Sequence, residues 1–314
     1  MWPWLIGTGS SWIEGIEPHR DDHRAGERAW STGAGPRAER RAVRGGSLGL
    51  VTTEGRTVAR TERSAGGAGV VGVVGARGGA GATVTGAALA AELARRGTAV
   101  LVDTGVGPSL DTVLGLEGHP GLRWPDLTGA RGSVDPVLLA GNLMRWGRCA
   151  VLPTDDQRPG PPPTEVLPDV LRALASAYGS VVLDLDRAAL LAAAAGDGGP
   201  RGDGGDAGAG AVGSVLLAAC RTVLVVVPRD VPSVAGARLL RDGLVGDGRR
   251  VGLVARGPAP GGLGADEVAA AVGLPVVASL PWARGLGAAV DRGVGPALPT
   301  AAARAVARLA RRLT

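Results

Sequence analysis

From Val70 onward the chain alternates short, unbroken apolar runs with stretches of helical spacing. The runs are VVGVVG (70–75), AVLVDT (99–104), CAVLP (149–153), SVVLDLD (180–186), TVLVVVP (222–228), RVGLVA (250–255) and PVVASLP (275–281). Runs this short, with no polar residue at every second position, suit strands covered on both faces. Helical stretches at 82–96, 135–144, 164–178, 232–245, 265–273 and 299–313 lie between most of them. Such alternation predicts an α/β fold: a doubly wound, mainly parallel sheet with helices on both faces. Phe is absent and there is one Tyr, so a core drawn from a 45% hydrophobic chain must be built of Leu, Val and Ala.

The ends and loops of this pattern set the expected boundaries. Residues 1–67 hold four of the seven Trp and many Arg/Glu pairs but no sustained period, and are read as a poorly ordered segment preceding a domain at 68–314. QRPGPPP (157–163) and the glycine-rich 196–213 are read as surface loops, the second as mobile. Asp155 and Asp156 in PTDDQRPG are read as a solvated loop. The opening MWPWLIG lacks the basic region of a leader, and SVLLAACRTVLVVVP is interrupted by Arg221, so a soluble, cytoplasmic chain is expected. Cys149 and Cys220 sit in apolar surroundings and read as buried thiols, and the three histidines have no ligand-like partners. The net charge of +5 is carried by arginine alone. A GC-rich coding sequence produces that usage by itself, so nucleic acid is not an expected partner.

In a doubly wound sheet, ligands sit at the carboxyl ends of the strands. Three features fall there. GARGGAGAT follows the first run, where Gly78, Gly79 and Gly81 can adopt positive φ and turn backbone N–H groups toward an anion. The helix beginning at Ala82 presents its N-terminus to the same point, and ends with Arg95, Arg96 and Gly97. Asp103 ends LVD and Asp184 ends VVLD. A carboxylate at a strand end beside a phosphate loop commonly holds Mg²⁺ or its water. Yet position 82, where a phosphate cradle carries lysine, is alanine, and the chain contains no lysine at all.

The loop Arg77-Gly78-Gly79-Ala80-Gly81-Ala82-Thr83, with AVLVDTGVGPSLDTVLGLE, VVLDLD, VLVVVPRDVPSVAGARLL and LPVVASLPWARGLGAAVDRG in this order, resembles the MinD/ParA family of deviant-Walker-A ATPases. The resemblance covers about residues 70–314 and implies a P-loop NTPase-like fold. PGLRWPDLTGARGSVDPVLLAGNL and the RGGAGA loop are similar to the CpaE-like, septum-site-determining branch. By resemblance, residues 78–83 bind ATP or ADP, Thr83 and Asp184 hold Mg²⁺, and Asp103 and Arg77 are the catalytic positions. The departures matter equally. The family's phosphate lysine maps to Ala82, and its signature lysine, which reaches a partner subunit's nucleotide, maps to Arg77. The second aspartate of D-x-D maps to Gly105, the adenine-reading Asn to Ala255, and the residues after the Walker B aspartate differ at Asp186 and Arg187.

A hydrogen bond to a charged group contributes about 1.5–3 kcal/mol, so the missing ammonium predicts roughly ten- to a hundred-fold weaker nucleotide binding. The resulting expectation is a spatial regulator of septum placement or of pilus or secretion machinery. Its nucleotide site is degenerate and its ATPase activity weak or absent. The partners implied are a septum, pilus or secretion-system protein and a second copy of the chain. The alternatives are an ATP-dependent switch with Arg77 in place of the lysine, and a nonspecific DNA-binding module. In TAAARAVARLARRLT, Ala302, Val306, Leu309 and Leu313 form one stripe with arginines opposite. It has no aromatic residue, so it reads as a final helix packed on the sheet, with membrane contact at most peripheral or through a partner.

Overall fold

β1 (Gly69–Gly75) shows why the strand runs are apolar throughout. Val71 and Val73 enter the core on one face of the sheet, Val74 enters the core on the other, and all three are fully buried. The computed structural model describes residues 67–130, 134–196, 205–246 and 248–314, with the side chains of 205–207 excepted. The expectation for residues 1–66 and the middle of the 196–213 stretch lie outside the described residues.

β2 (Ala99–Asp103), β3 (Met144–Trp146), β4 (Cys149–Leu152), β5 (Ser180–Asp184), β6 (Thr222–Pro228), β7 (Arg250–Arg256) and β8 (Val276–Leu280) complete one sheet with β1. The order is β3-β4-β2-β5-β1-β6-β7-β8. Every pairing is parallel except that of β3 with β4. β3 is not expected from the sequence, because three residues carry no period; the helix expected over 135–144 stops early, as α3 (Pro136–Asn142), to make room for it.

α1 (Ala82–Arg96) and α10 (Thr300–Leu313) cover one face, against Val71, Val73, Leu101, Val182 and Leu224. α4 (Leu167–Ala177), α7 (Val231–Leu244) and α8 (Ala265–Val272) cover the other. α10 buries Ala302, Val306 and Leu309 and exposes Arg304, Arg308 and Arg311. Gly97 closes α1 by donating to Leu93 O, with φ −173° rather than in the left-handed region. From β1 the chain runs through α1 to β2 on one side, and from β5 it crosses to β6 on the other side of β1. The loop after β1 therefore sits where the strand order reverses, the crevice in which such sheets take ligands.

Residues 205–213 correct the loop reading of 196–213. α5 (Arg187–Ala195) and α6 (Gly205–Ala219) form a pair of helices between β5 and β6. A Cβ on Gly213 would collide with the carbonyl oxygen of Ala189, and one on Gly210 would come within 3.3 Å of Ala192 O. These glycines let two helix backbones approach closely; packing outweighs their poor helix propensity. The solvated-loop reading holds for Asp156, which is exposed, but not for Asp155. Asp155 is buried and pairs with Arg158 at 2.8 Å, and Asp156 accepts from Ser109 N (2.7 Å) and Thr112 Oγ1 (2.9 Å) at the start of the short helix α2 (Leu110–Leu114).

Candidate functional site

The glycine loop leaves β1 at Ala76, whose N–H donates to Val226 O at 2.9 Å. Gly79 and Gly81 take φ of +71° and +87°, a region that costs other residues about 1–2 kcal/mol; Gly78 does not use it. Gly81 is the residue on which α1 begins. No side chain caps that helix, and its first turn has no acidic residue. Its free N–H groups and the positive end of its dipole therefore face the loop unneutralised, the arrangement that attracts an anion.

Asp103 and Asp184 are cross-strand neighbours at the ends of β2 and β5. Their environments differ. Asp184 keeps some exposure at the crevice and accepts a hydrogen bond from the Thr83 side chain. Burial, reinforced by the charges of Asp103 and Asp186, pushes its carboxyl up to about 7, against the opposing effect of the Thr83 hydroxyl. A desolvated carboxylate beside a helix-borne hydroxyl is an oxygen donor pair that fits Mg²⁺, which binds few protein ligands and keeps its waters. Among the described residues no group of three or more His, Cys, Asp or Glu converges on a metal position.

Asp103 is buried at 5% exposure, and its oxygens are already in use. Oδ1 accepts from Gly105 N at 3.0 Å; Oδ2 accepts from Leu110 N at 2.9 Å and Thr154 Oγ1 at 2.8 Å. Burial raises its pKa and these hydrogen bonds oppose the rise. The carboxylate thus staples the segment after β2 to α2 and to the end of β4. The same segment is closed by Trp124, fully buried, whose indole donates to Asp103 O at 2.7 Å, and by Arg123, which pairs with Asp111 at 2.8 Å. RWPDL, part of the branch-like stretch, therefore braces the strand end.

Arg77 does not point freely toward a partner. Its Nε donates to Ser233 Oγ at 2.8 Å, Nη1 to Gly78 O at 3.0 Å, and Nη2 pairs with Asp230 at 3.0 Å. Asp230 also caps α7 through Ser233 N. Burial works against its ionisation, but the bonds from Ser233 and Arg77 hold its carboxyl below the usual range. Two further arginines reach the loop. Arg187 donates from Nε to Ala76 O at 3.0 Å, which accounts for an arginine directly after Asp186. Arg256, the last residue of β7, donates from Nη1 to Ala80 O at 3.1 Å and lies 5.1 Å from the ring centre of Trp282. Arg256 stands at the end of β7, and Arg187 opens α5 just beyond the end of β5.

Beside the loop, a cavity of about 20 Å³ lies among Val84, Thr85, Arg256, Leu280, Pro281 and Ala283. That space admits one water molecule and no nucleobase. A larger cavity of about 420 Å³ lies elsewhere, between α1, Trp146 and residues 296–303.

An MgADP-bound septum-site-determining MinD from Pyrococcus horikoshii superposes over 77% of this chain and 93% of its own, with a TM-score of 0.53 and 15% identity. A ParA family ATPase from Chlorobium tepidum superposes over 78% and 98%, with a TM-score of 0.61 and 18% identity. The chain has the MinD/ParA fold. The MinD cell division protein of Aquifex aeolicus agrees, with a TM-score of 0.57 and 19% identity over 78% of this chain and 96% of its own. Uncharacterized proteins of two Mycobacterium tuberculosis strains are 33% identical over 206 residues, 64% of this chain. The chain spans about half the length, 51%, of these curated relatives. No protein-family model matches the chain. No helix among the described residues is long and apolar enough to cross a membrane.

Proposed function

We propose that this chain is a MinD/ParA-type spatial regulator of the CpaE-like kind. It would dock on a septum, pilus or secretion component and hold ATP or ADP with Mg²⁺ only weakly. One observation supports the reading above others. The backbone cradle of Gly79 and Gly81 opens onto an uncapped α1, with Thr83 and Asp184 paired beside it, while position 82 contributes only a methyl group. Residues 78–83 would carry the phosphates, and Thr83 with Asp184 the metal. The bound metal would supply charge neutralisation of the phosphates. Losing one donor that stabilises a transition state costs about 10²–10³ in rate, so binding and not turnover is the working step. A MinD from Aquifex aeolicus is known in a MinC:MinD complex, and docking of this chain on a protein partner is of that type.

The switch reading, with Arg77 as the substitute cation, requires Arg77 to leave Asp230, Ser233 and Gly78 O together. That contact set favours the regulator. Phosphate release by the full chain in MgATP tests the choice. The regulator reading expects release at the level of a protein-free control, with nucleotide still measurably bound. Sustained turnover that is lost in Arg77→Ala would establish the switch instead.

A further inference from the structure

We propose that Arg256, reaching across from the end of β7, is the cation that binds phosphate in this loop in place of a lysine at position 82. The inference rests on reading the loop as a phosphate site and adds the residue that carries its charge.

The guanidinium of Arg256 lies against the loop at its most constrained residue. A Cβ built on Gly81 would stand 2.9 Å from Arg256 Cζ and Nη1 and 3.2 Å from Nε. Any other residue at 81 would push the arginine away. Nη1 holds Ala80 O at 3.1 Å, which fixes the group beside the first turn of α1. This is an unfavourable place for a cation alone, because the helix dipole already presents positive charge there.

Nothing among the described residues neutralises it. Arg77 has Asp230, Arg123 has Asp111 and Arg158 has Asp126 and Asp155, but no carboxylate pairs with Arg256. Its other contact is the face of Trp282. Burial and the neighbouring charge of Arg77 lower its pKa from the usual guanidinium value. A half-buried guanidinium without a carboxylate partner, beside an uncapped helix start, forms a concentration of positive charge, and the neighbouring Asp230 is already committed to Arg77. The chemistry that relieves it is a group with several acceptor oxygens that a planar fork can grip in two places: the phosphoryl group of a nucleoside di- or triphosphate. Arg77, with its donors spread over Asp230, Ser233 and Gly78 O, is not the one available.

The test uses the full chain and two probes, MgATP and base-free inorganic pyrophosphate, titrated by calorimetry into wild type, Arg256→Gln, Arg256→Lys and Arg77→Gln. Arg256→Gln should weaken both probes at least about ten-fold. Arg256→Lys should fall between, keeping charge but not the fork, and Arg77→Gln should change either probe much less. Adding Ala82→Lys to Arg256→Gln should recover binding. Wild-type affinity for pyrophosphate in Arg256→Gln would overturn the inference while leaving the phosphate loop standing. Loss of MgATP but not pyrophosphate would also overturn it, because the arginine would then act on the base. Binding of neither probe by wild type would sink the inference and the reading beneath it together. A measurement free of substitutions guards against misfolding of the variants. Phenylglyoxal modification of the wild type, mapped by peptide mass, should be slowed at Arg256 by pyrophosphate; equal labelling with and without it contradicts the proposal.

Discussion

Arg256 lies so close over Gly81 that a single methyl group on the glycine would stand 2.9 Å from the guanidinium carbon. The contact joins the end of β7 to the start of α1. It makes Gly81 doubly dependent on being glycine, once for its φ of +87° and once for the space above it. The loop is therefore held from outside by three arginines: Arg77 through α7, Arg187 through Ala76 O and Arg256 through Ala80 O.

Asp103 acts as a buried staple, so its replacement is expected to cost stability first. Asp103→Asn turns an amide N–H₂ toward the N–H donors of Gly105 or Leu110, leaving buried donors facing one another. The expected loss is about 1–3 kcal/mol in urea denaturation. An unchanged midpoint would show that the carboxylate is dispensable for the strand end and free for other work.

Asp184 gives a pH dependence with a defined sign. Its folded pKa, pushed up to about 7, lies above the ordinary aspartate value of about 3.9, so the folded state holds the proton more tightly than the unfolded one. Its effect is absent below the unfolded value. It becomes destabilising as pH rises between the two, and stays constant above the folded value. Asp184→Asn should therefore be more stable than wild type at pH 8, by at most on the order of 4 kcal/mol, and similar at pH 4. Thermal midpoints at the two pH values measure it, and a variant less stable at pH 8 contradicts the assignment.

The α5–α6 pair separates two kinds of glycine. Gly208 in α6 has open space where a Cβ would stand, so Gly208→Ala should stabilise by up to about 1 kcal/mol through helix propensity. Gly213 has Ala189 O in that position, so Gly213→Ala should destabilise by about 1–3 kcal/mol despite the same propensity gain. Equal effects at the two sites would mean that the helices are not in close contact.

The sheet was legible because its strands are buried on both faces. Runs such as TVLVVVP at β6 leave no other use for so many adjacent apolar side chains. The glycine loop and the two strand-end aspartates were legible for the same reason, since strand ends in this architecture face one crevice. α5 and α6 were hidden because the glycines that permit their contact have the composition of a loop. The roles of Arg256, Arg187 and Ser233 were hidden because each meets the loop from far along the chain, Arg256 from 176 residues away. Asp103 was visible as a carboxylate at the right place, but its use depends on Leu110 and Thr154, which only the fold brings to it.

The central claim is that this loop is a phosphate cradle weakened by alanine at position 82. Calorimetric titration of MgATP into wild type and Ala82→Lys tests it most directly. A lysine at the start of α1 opposes the helix dipole, so the variant should lose a little stability without ligand and regain it when nucleotide is added. Its affinity should exceed that of wild type by roughly ten- to a hundred-fold, the worth of a charged hydrogen bond. No binding by either protein, or equal binding by both, would contradict the account.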